Sequence, residues 1–298
     1  MGQPTLRQMR YFEALVAHGH FGRAAEACAI SQPALSLQIK ELEAALGGTL
    51  FERGARRVRL TGLGEDLAPR IHAVLRAAEA LEDQARAAEG GGLGRLRLGV
   101  IPTIAPYLLP RMLQALTRAR PGLDVHVRET VTPRLIDDLT DGRLDAAVVA
   151  LPLSEPHLAE TPLFTERLVL VRPAAEAERP VPDPETLRAM RLLLLEEGHC
   201  FRDQALSFCG LRPASAREGL DGSTLSTLVQ MVGAGLGVTI IPEMAVPVEA
   251  RSAPVAIARF PAPEPVRTIG LIWRRTSPLA AQLDEIAGIL RTATAPAP

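Results

Sequence analysis

From residue 95 onward, short runs of aliphatic and β-branched residues alternate with stretches of helical apolar spacing, and no other feature of the chain restricts its fold as much. "RLRLGVI" reads as a buried strand, "APYLLPRMLQALTRARPG" as a helix stopped by Pro-Gly, "LDVHVRE" as a strand, "TPRLIDDLTDGR" as a helix and "LDAAVVAL" as a strand. Such alternation with short connections implies parallel α/β units. After "RLVLVRP" a second set follows: "RLLLLEEG", a cysteine-bearing helix, "STLSTLVQMVGAGLGVTIIPEMAV" and "VAIARF". "RTIGLIWRR" adds a strand, and a helix from Ser277 to about Thr292 closes the chain. The expected α/β architecture has two lobes joined by two crossings, near residues 164–169 and 266–271. Lobe I would take 95–165 and 270–298, and lobe II 166–269. Open α/β sheets bind ligands at the carboxyl ends of their strands, which here places the site in the cleft between lobes.

The chain has 298 residues, enough for two or three domains. Hydrophobic residues make up 47%, which excludes a disordered chain, and aromatics only 3%, so the cores must be built from Leu, Val, Ile and Ala. The near-neutral total hides an asymmetry. Residues 1–60 carry seven Arg and Lys40 against five Glu, a net +3, whereas residues 61–90 carry three Arg against six acidic residues, a net −3. A basic head on a near-neutral protein points to a polyanion.

Within that head, "LRQMRYFEALVAHG" has helical spacing and "HFGRAAEACAI" continues as a short second helix. "SQPALSLQIKELEAALG" opens with Ser31 as N-cap and a proline in its first turn, and ends at Gly47-Gly48. Three short helices of this kind read as an all-α helix-turn-helix, whose third helix enters the major groove by its N-terminal part. Ser31, Gln32, Pro33, Ser36, Gln38 and Lys40 are the candidate DNA contacts on it. "LFERGARRVRLTGLG" then alternates like a small hairpin with Arg53, Arg56 and Arg57 at its tip, a basic wing suited to phosphates or the minor groove. An ordinary helical subdomain with a solvated arginine cluster would not need all three features together. The DNA-binding domain is thus expected over residues 1–62.

From Leu67 the apolar positions run Leu67, Ile71, Val74, Ala78, Leu81, Ala85 and Ala88, in steps of four and three. This heptad seam can pack on its own domain or on a second copy of the helix; a helix pair between subunits is the expectation for residues 63–90. "EGGGLG" then breaks the helix before an effector domain over 91–298.

The start "MGQPTLRQMRYFEALVAHGHF" lacks a basic n-region leading into an apolar run, and no stretch approaches membrane-spanning length, so a cytoplasmic location without membrane contact is expected. Thiols there are kept reduced. Three cysteines make no disulfide framework and no CxxC pair for zinc, and neither metal nor cofactor is expected. His18, His20, His72, His126 and His157 show no ligand spacing and read as structural or surface groups.

Two of the cysteines share one segment, "EEGHCFRDQALSFCG". Cys200 follows a strand and Gly198, so it falls near a helix N-terminus, whose free N–H groups favour a thiolate. Arg202, and His199 when protonated, would add positive potential. Cys209 lies in an apolar context. Nine residues of helix span about 13.5 Å, whereas a disulfide needs Cα atoms within about 7 Å. The pair can be bridged only if the helix breaks, which makes the segment a candidate two-state redox switch. A small buried hydrophobe is the commoner role of a free cysteine. It suffices for Cys28, and for Cys209 taken alone, but less well for Cys200 with its polar neighbours.

"YFEALVAHGHFGRAAEACAISQPALSLQIKELEAALGGTLFERGARRVRLTGLGE" resembles the winged helix-turn-helix of LysR-type transcriptional regulators over about sixty residues. The heptad helix resembles that family's linker helix, and the two lobes are similar to periplasmic binding proteins. "LEEGHCFRDQALSFC", "GVIPTIAPYLLP", "MVGAGLGVTIIPEMAVP" and "PEPVRTIGLIWR" resemble the family's peroxide-sensing branch, so the likeness spans nearly the whole chain. It implies that Cys200 is the peroxidatic thiol and Cys209 the resolving one. Thr103 and Thr132 would supply pocket hydroxyls, joined by His199, Arg202, Asp203, Gln204 and Arg267. Pro133 stands where the branch often has His, and Ser226 where it often has Glu. Read without the resemblance, Thr103 and Thr132 could be helix caps and Arg267 an ordinary edge-strand ion pair.

The function so implied is a hydrogen-peroxide-sensing activator of oxidative-stress genes, and not an enzyme. It would bind promoter DNA as a homodimer or homotetramer, act with RNA polymerase, and be reset by thiol reductants. Three other readings compete. A LysR-type sensor of a small metabolite in the cleft would not need the cysteines. A thiol peroxidase would turn peroxide over and leave the basic head unexplained. A solute-binding protein is opposed by the missing export signal and by that head.

Overall fold

In a computed structural model, residues 2–52, 58–88, 93–210 and 221–294 are described, and the chain divides into two compact units, 1–90 and 91–298. The first unit holds α1 (Leu6–His18), α2 (Phe21–Ala27), α3 (Gln32–Leu46) and α4 (Gly62–Ala88). α1 begins with a capping box: the Thr5 hydroxyl accepts from the Gln8 N–H (3.2 Å), and Gln8 Oε1 accepts from the Thr5 N–H (3.0 Å). α3 begins at Ser31, whose Oγ accepts from the Ala34 N–H (3.3 Å), and stops at Gly47 with φ 78°. Phe12, Leu15, Leu35, Ile39, Leu42, Leu50 and Phe51 fill the core between them, with the Phe12 and Phe51 rings 5.2 Å apart. Phe51 and Leu60 form an antiparallel bridge at the base of the expected hairpin. Its tip, with Arg53, Arg56 and Arg57, lies outside the described residues.

The seam of α4 divides. Ile71 and Leu75 are buried in the core of the first unit and Leu67 packs against it, so the expectation that the stripe from Leu67 onward faces a partner is corrected for its first turns. Val74 and Leu81, by contrast, are 45% and 69% exposed. The reason is geometric. A straight helix drifts about 20° per heptad against a 3.5-residue repeat, so Val74 and Leu81 turn progressively away from the face on which Ile71 and Leu75 are buried.

The second unit runs β1 (Arg95–Val100), α5 (Ala105–Ala119), β2 (Asp124–Glu129), α6 (Thr132–Thr140), β3 (Ala146–Leu151), β4 (Leu158–Pro173), α7 (Pro184–Ala189), β5 (Leu194–Leu195) and α8 (Cys200–Phe208). It continues with β6 (Asp221–Gly222), α9 (Leu225–Gly233), β7 (Thr239–Pro242), α10 (Val246–Glu249), β8 (Val255–Arg259), β9 (Val266–Arg274) and α11 (Ala280–Thr294). Seven of the described strands form one sheet in the order β2-β1-β3-β9-β4-β7, with β8 also on β4; β5 and β6 pair separately. β1 is parallel to β2 and β3, whereas β9 is antiparallel to β3 and β4. The expected strand "RLLLLEEG" shrinks to Leu194–Leu195, because its partner β6 is only two residues long.

Two hydrophobic cores lie along this unit, one per lobe. β4 serves both. Its residues 158–167 pair with β9, and residues 168–173 pair with β7 and β8. Leu163 packs in the first core and Leu168 in the second, so the chain passes between lobes here. A second tie joins the lobes: Tyr107 of α5 packs against the second core, and its hydroxyl donates to Glu249 Oε1 of α10 (2.7 Å).

Candidate functional site

The cysteine helix is placed by a turn. β5 ends at Leu195, the Glu196 N–H bonds back to the Gly222 carbonyl (3.1 Å), and Gly198 turns the chain at φ 91°, a conformation glycine adopts without cost. α8 then starts at Cys200, with His199 as its N-cap. The amide of Cys200 is among those left without a helical partner.

The two thiols serve different surroundings. Cys200 is half-buried and packs against the first lobe's core, although its helix belongs to the second lobe. Cys209 is fully buried in the second lobe's core, and burial pushes its thiol up to about 11, opposed by the nearby Arg188 charge. Arg188 Nε also donates to the Cys209 carbonyl. Both cysteines are free. With α8 continuous between them the axial rise is about 13.5 Å, too far for a bond.

Cys200 borders a narrow recess that Thr103, Thr132, His199 and Phe201 also line. Thr103 follows β1 and Thr132 follows β2, so both come from the carboxyl ends of parallel strands, while Cys200 arrives from the other lobe. Neither threonine is a helix cap. The N-caps of α5 and α6 are Ile104 and Val131, without side-chain cap bonds, and Thr132 is the first residue of its helix. Thr103 and Thr132 are 2% and 5% exposed, and Thr132 Oγ1 has no hydrogen-bond partner. A buried hydroxyl left open towards a recess is an unmet polar group that a small polar ligand could satisfy. Burial also lowers the pKa of His199, with Glu196 opposing it.

Arg267 is no edge-strand pair. Its side chain is fully buried, whereas an ordinary edge-strand pair is solvated. Its Nε donates to Glu166 Oε1 (2.6 Å), one amino group to Thr103 Oγ1 (2.9 Å) and the other to the Thr103 carbonyl (3.1 Å). The guanidinium lies over the Phe201 ring, 5.1 Å from its centroid. Glu166 and Phe201 escaped the sequence reading. Their signal was a charged pair on two apolar strands and an aromatic beside the cysteine, visible only once the strand register is known.

Three other expected pocket residues do not border the recess. Arg202 lies about 200° round the helix from Cys200 at 100° per residue, and one amino group donates to the Leu195 carbonyl (2.7 Å) and to Asp221 Oδ2 (2.9 Å). It fastens α8 to β5 and β6. Asp203 is exposed. Gln204 sits one turn below Cys200, half-buried, with its Oε1 unpartnered. Pro133 fits the second position of α6, and Ser226 is exposed on α9.

In the first unit, Ser31, Gln32, Pro33 and Lys40 are exposed around α3 and Ser36 is half-buried. Leu37, 56% exposed, lies between them and was missed as a candidate. Gln38 is on the other side. Its Nε2 donates to Glu41 (2.8 Å), to which Gln8 of α1 also donates (3.2 Å). Among the described residues, no cluster of three or more His, Cys, Asp or Glu could hold a metal ion, and no helix is long and apolar enough to cross a membrane.

Comparison with known proteins agrees with both halves. Residues 6–65 match the bacterial regulatory helix-turn-helix protein family of lysR type, and residues 89–295 match the LysR substrate binding domain. A probable hydrogen peroxide-inducible genes activator from Streptomyces viridosporus is 46% identical over 299 residues, covering 98% of this chain and 95% of that protein. A full-length OxyR variant from Pseudomonas aeruginosa is 37% identical, with TM-score 0.74 over 97% of this chain and 98% of its own. A hydrogen-peroxide-bound OxyR variant from Corynebacterium glutamicum is 38% identical, with TM-score 0.66 over 98% and 93%. The chain belongs to the LysR family of DNA-binding transcriptional regulators and, within it, to the peroxide-sensing OxyR group of gene activators.

Proposed function

We propose that this chain senses hydrogen peroxide at Cys200 and transmits the signal by forming a Cys200–Cys209 disulfide. The observation that carries this reading is the recess in which Cys200 meets Thr103, Thr132 and His199 between the lobes; a similar structure carries bound hydrogen peroxide. The Cys200 thiolate attacks one peroxide oxygen, the O–O bond breaks, and the departing hydroxide takes up a proton. A sulfenic acid is left on Cys200. Thr103 can donate to the departing oxygen, because Arg267 only donates and so occupies the acceptor side of that hydroxyl. The Cys209 thiol then condenses with the sulfenic acid, releasing water and leaving a disulfide. Because α8 separates the thiols, this second step requires the helix to open. Each signal consumes one peroxide, and cellular dithiols reset the switch. Mass spectrometry of the Cys200–Cys209 peptide before and after stoichiometric peroxide tests the reading. Two unmodified cysteines after exposure would refute it.

The exposed face of α3 serves promoter DNA, with RNA polymerase as the downstream partner in the cytoplasm, and Gln38 is left to the head's own packing. Lys40→Ala should weaken binding to all sequences alike and lower the salt slope by about 1. Gln32→Ala should instead relax the preference at one base pair, at a cost of about 1–3 kcal/mol. Gel-shift titrations over a salt series and an operator-variant panel separate the two.

Self-association follows from the free part of α4. Val74 and Leu81 are seam residues of α4 that the head leaves exposed. Val74→Glu with Leu81→Glu should dissociate dimers in sedimentation experiments while the head stays folded. Replacing Ile71 or Leu75 should unfold the head instead, since both belong to its core. An unchanged sedimentation profile for the Val74 and Leu81 variant would rule out the helix pair.

A further inference from the structure

We propose that Glu166 is a positioning residue for the oxidation of Cys200: it anchors Arg267, and Arg267 in turn presents the Thr103 hydroxyl to the recess as a hydrogen-bond donor. The inference rests on the assignment of Cys200 as the thiol that peroxide attacks.

The strand register places the pair. Glu166 on β4 lies directly opposite Arg267 on β9, at the point where both strands pass between the lobes. Cross-strand neighbours of opposite charge reach one another without strain. Here the contact is 2.6 Å, with side chains 8% and 0% exposed. An arginine buried that far needs a counter-charge, since an unpaired ion in this setting is costly. Burial raises the pKa of Glu166, and the Arg267 charge opposes the rise.

With its Nε held by Glu166, the guanidinium has one orientation left, and its two amino groups meet the Thr103 hydroxyl and carbonyl. A guanidinium has donors and no acceptor. Thr103 Oγ1 must therefore accept, and its own proton is left for the recess that Cys200 lines. The same guanidinium lies over Phe201, the residue after Cys200. Arg267 thus fixes a wall from each lobe, although it lines the recess itself nowhere. Glu166 touches neither peroxide nor thiol and acts only through this chain.

A double-mutant cycle on the reduced, full-length protein tests the proposal, with the rate of sulfenic acid formation at Cys200 read by a sulfenate-trapping probe. Cys209→Ser is present throughout, so that chemistry stops at that stage. Glu166→Gln preserves shape and an acceptor while removing the charge; it should slow oxidation on the order of tenfold. Thr103→Val should slow it as well. The double variant should be no slower than Thr103→Val alone, because residues acting through one another are not additive. A structural defect would instead add to the Thr103→Val loss. Additive losses, or an unchanged rate in Glu166→Gln, would overturn the proposal. Should the Gln variant fail to fold, Glu166→Asp keeps the charge on a shorter arm, and the same cycle decides. If peroxide forms no sulfenic acid in the chain with native Glu166 and Thr103, both the site assignment and the role of Glu166 fall; if it does, only the cycle bears on Glu166.

Discussion

Cys200→Ser should abolish the peroxide response and leave reduced-state DNA binding as it is. The expectation follows from where the thiol sits. Cys200 is the cysteine that borders the recess, whereas Cys209 is sealed in the second lobe's core with its thiol pushed up to about 11. At pH 7 a thiol of that acidity is ionised in roughly one molecule in ten thousand, each pKa unit being a factor of ten. Cys209 is therefore inert until α8 opens, and the steps separate. Cys209→Ser should still form a sulfenic acid on Cys200, trappable by a sulfenate-reactive probe, but lock no disulfide. Alkylation of the reduced native protein should label Cys200 well before Cys209. A Cys200→Ser protein that still changes its operator footprint with peroxide would remove this site from the mechanism.

How far the sequence reading reached depends on which interactions are local. β1, α5, β2, α6, β3, β9 and α11 are legible in the sequence because their apolar periods are set within each segment, and Gly198 announces the turn that starts α8, whereas the half of β4 before Arg167 and the short helices α7 and α10 are not. The threonines were found through a resemblance and not through their own chemistry. On residue type alone Thr103 and Thr132 look like caps, and only the ends of β1 and β2 show that they face a cleft. Arg202 went the other way. Adjacent to the cysteine in sequence, it is carried to the far side of the helix, where Leu195 and Asp221 hold it. Glu166 was invisible because its significance lies in a register between strands a hundred residues apart. The seam of α4 was read as one stripe because a heptad count carries no information on how much of the helix its own domain covers.

Leu206→Ala should shift the redox balance of the switch more than its overall stability suggests. Phe201, Ala205, Leu206 and Cys209 are all buried on the inner face of the cysteine helix. Closing a bond between Cys200 and Cys209 requires that helix to open, which takes these side chains out of the second lobe's core. Truncating a buried leucine costs about 2–5 kcal/mol. If oxidation opens the helix in this way, Leu206 leaves its site in the oxidised state, and most of that cost falls on the reduced state alone. The disulfide then becomes harder to reduce, by roughly 40–110 mV at 30 mV per 1.4 kcal/mol for a two-electron couple. Equilibration in glutathione buffers of graded ratio, with the disulfide fraction read by mass spectrometry, measures the shift. Ile240→Ala provides the control. Ile240 is buried in the same core but on β7, away from the helix. Its loss should lower the melting temperature of both forms and leave the potential where it was. If Leu206→Ala lowers the melting temperature yet leaves the potential unmoved, Leu206 is packed equally well in both states. The helix then does not open on oxidation, and the two thiols must meet by some other movement.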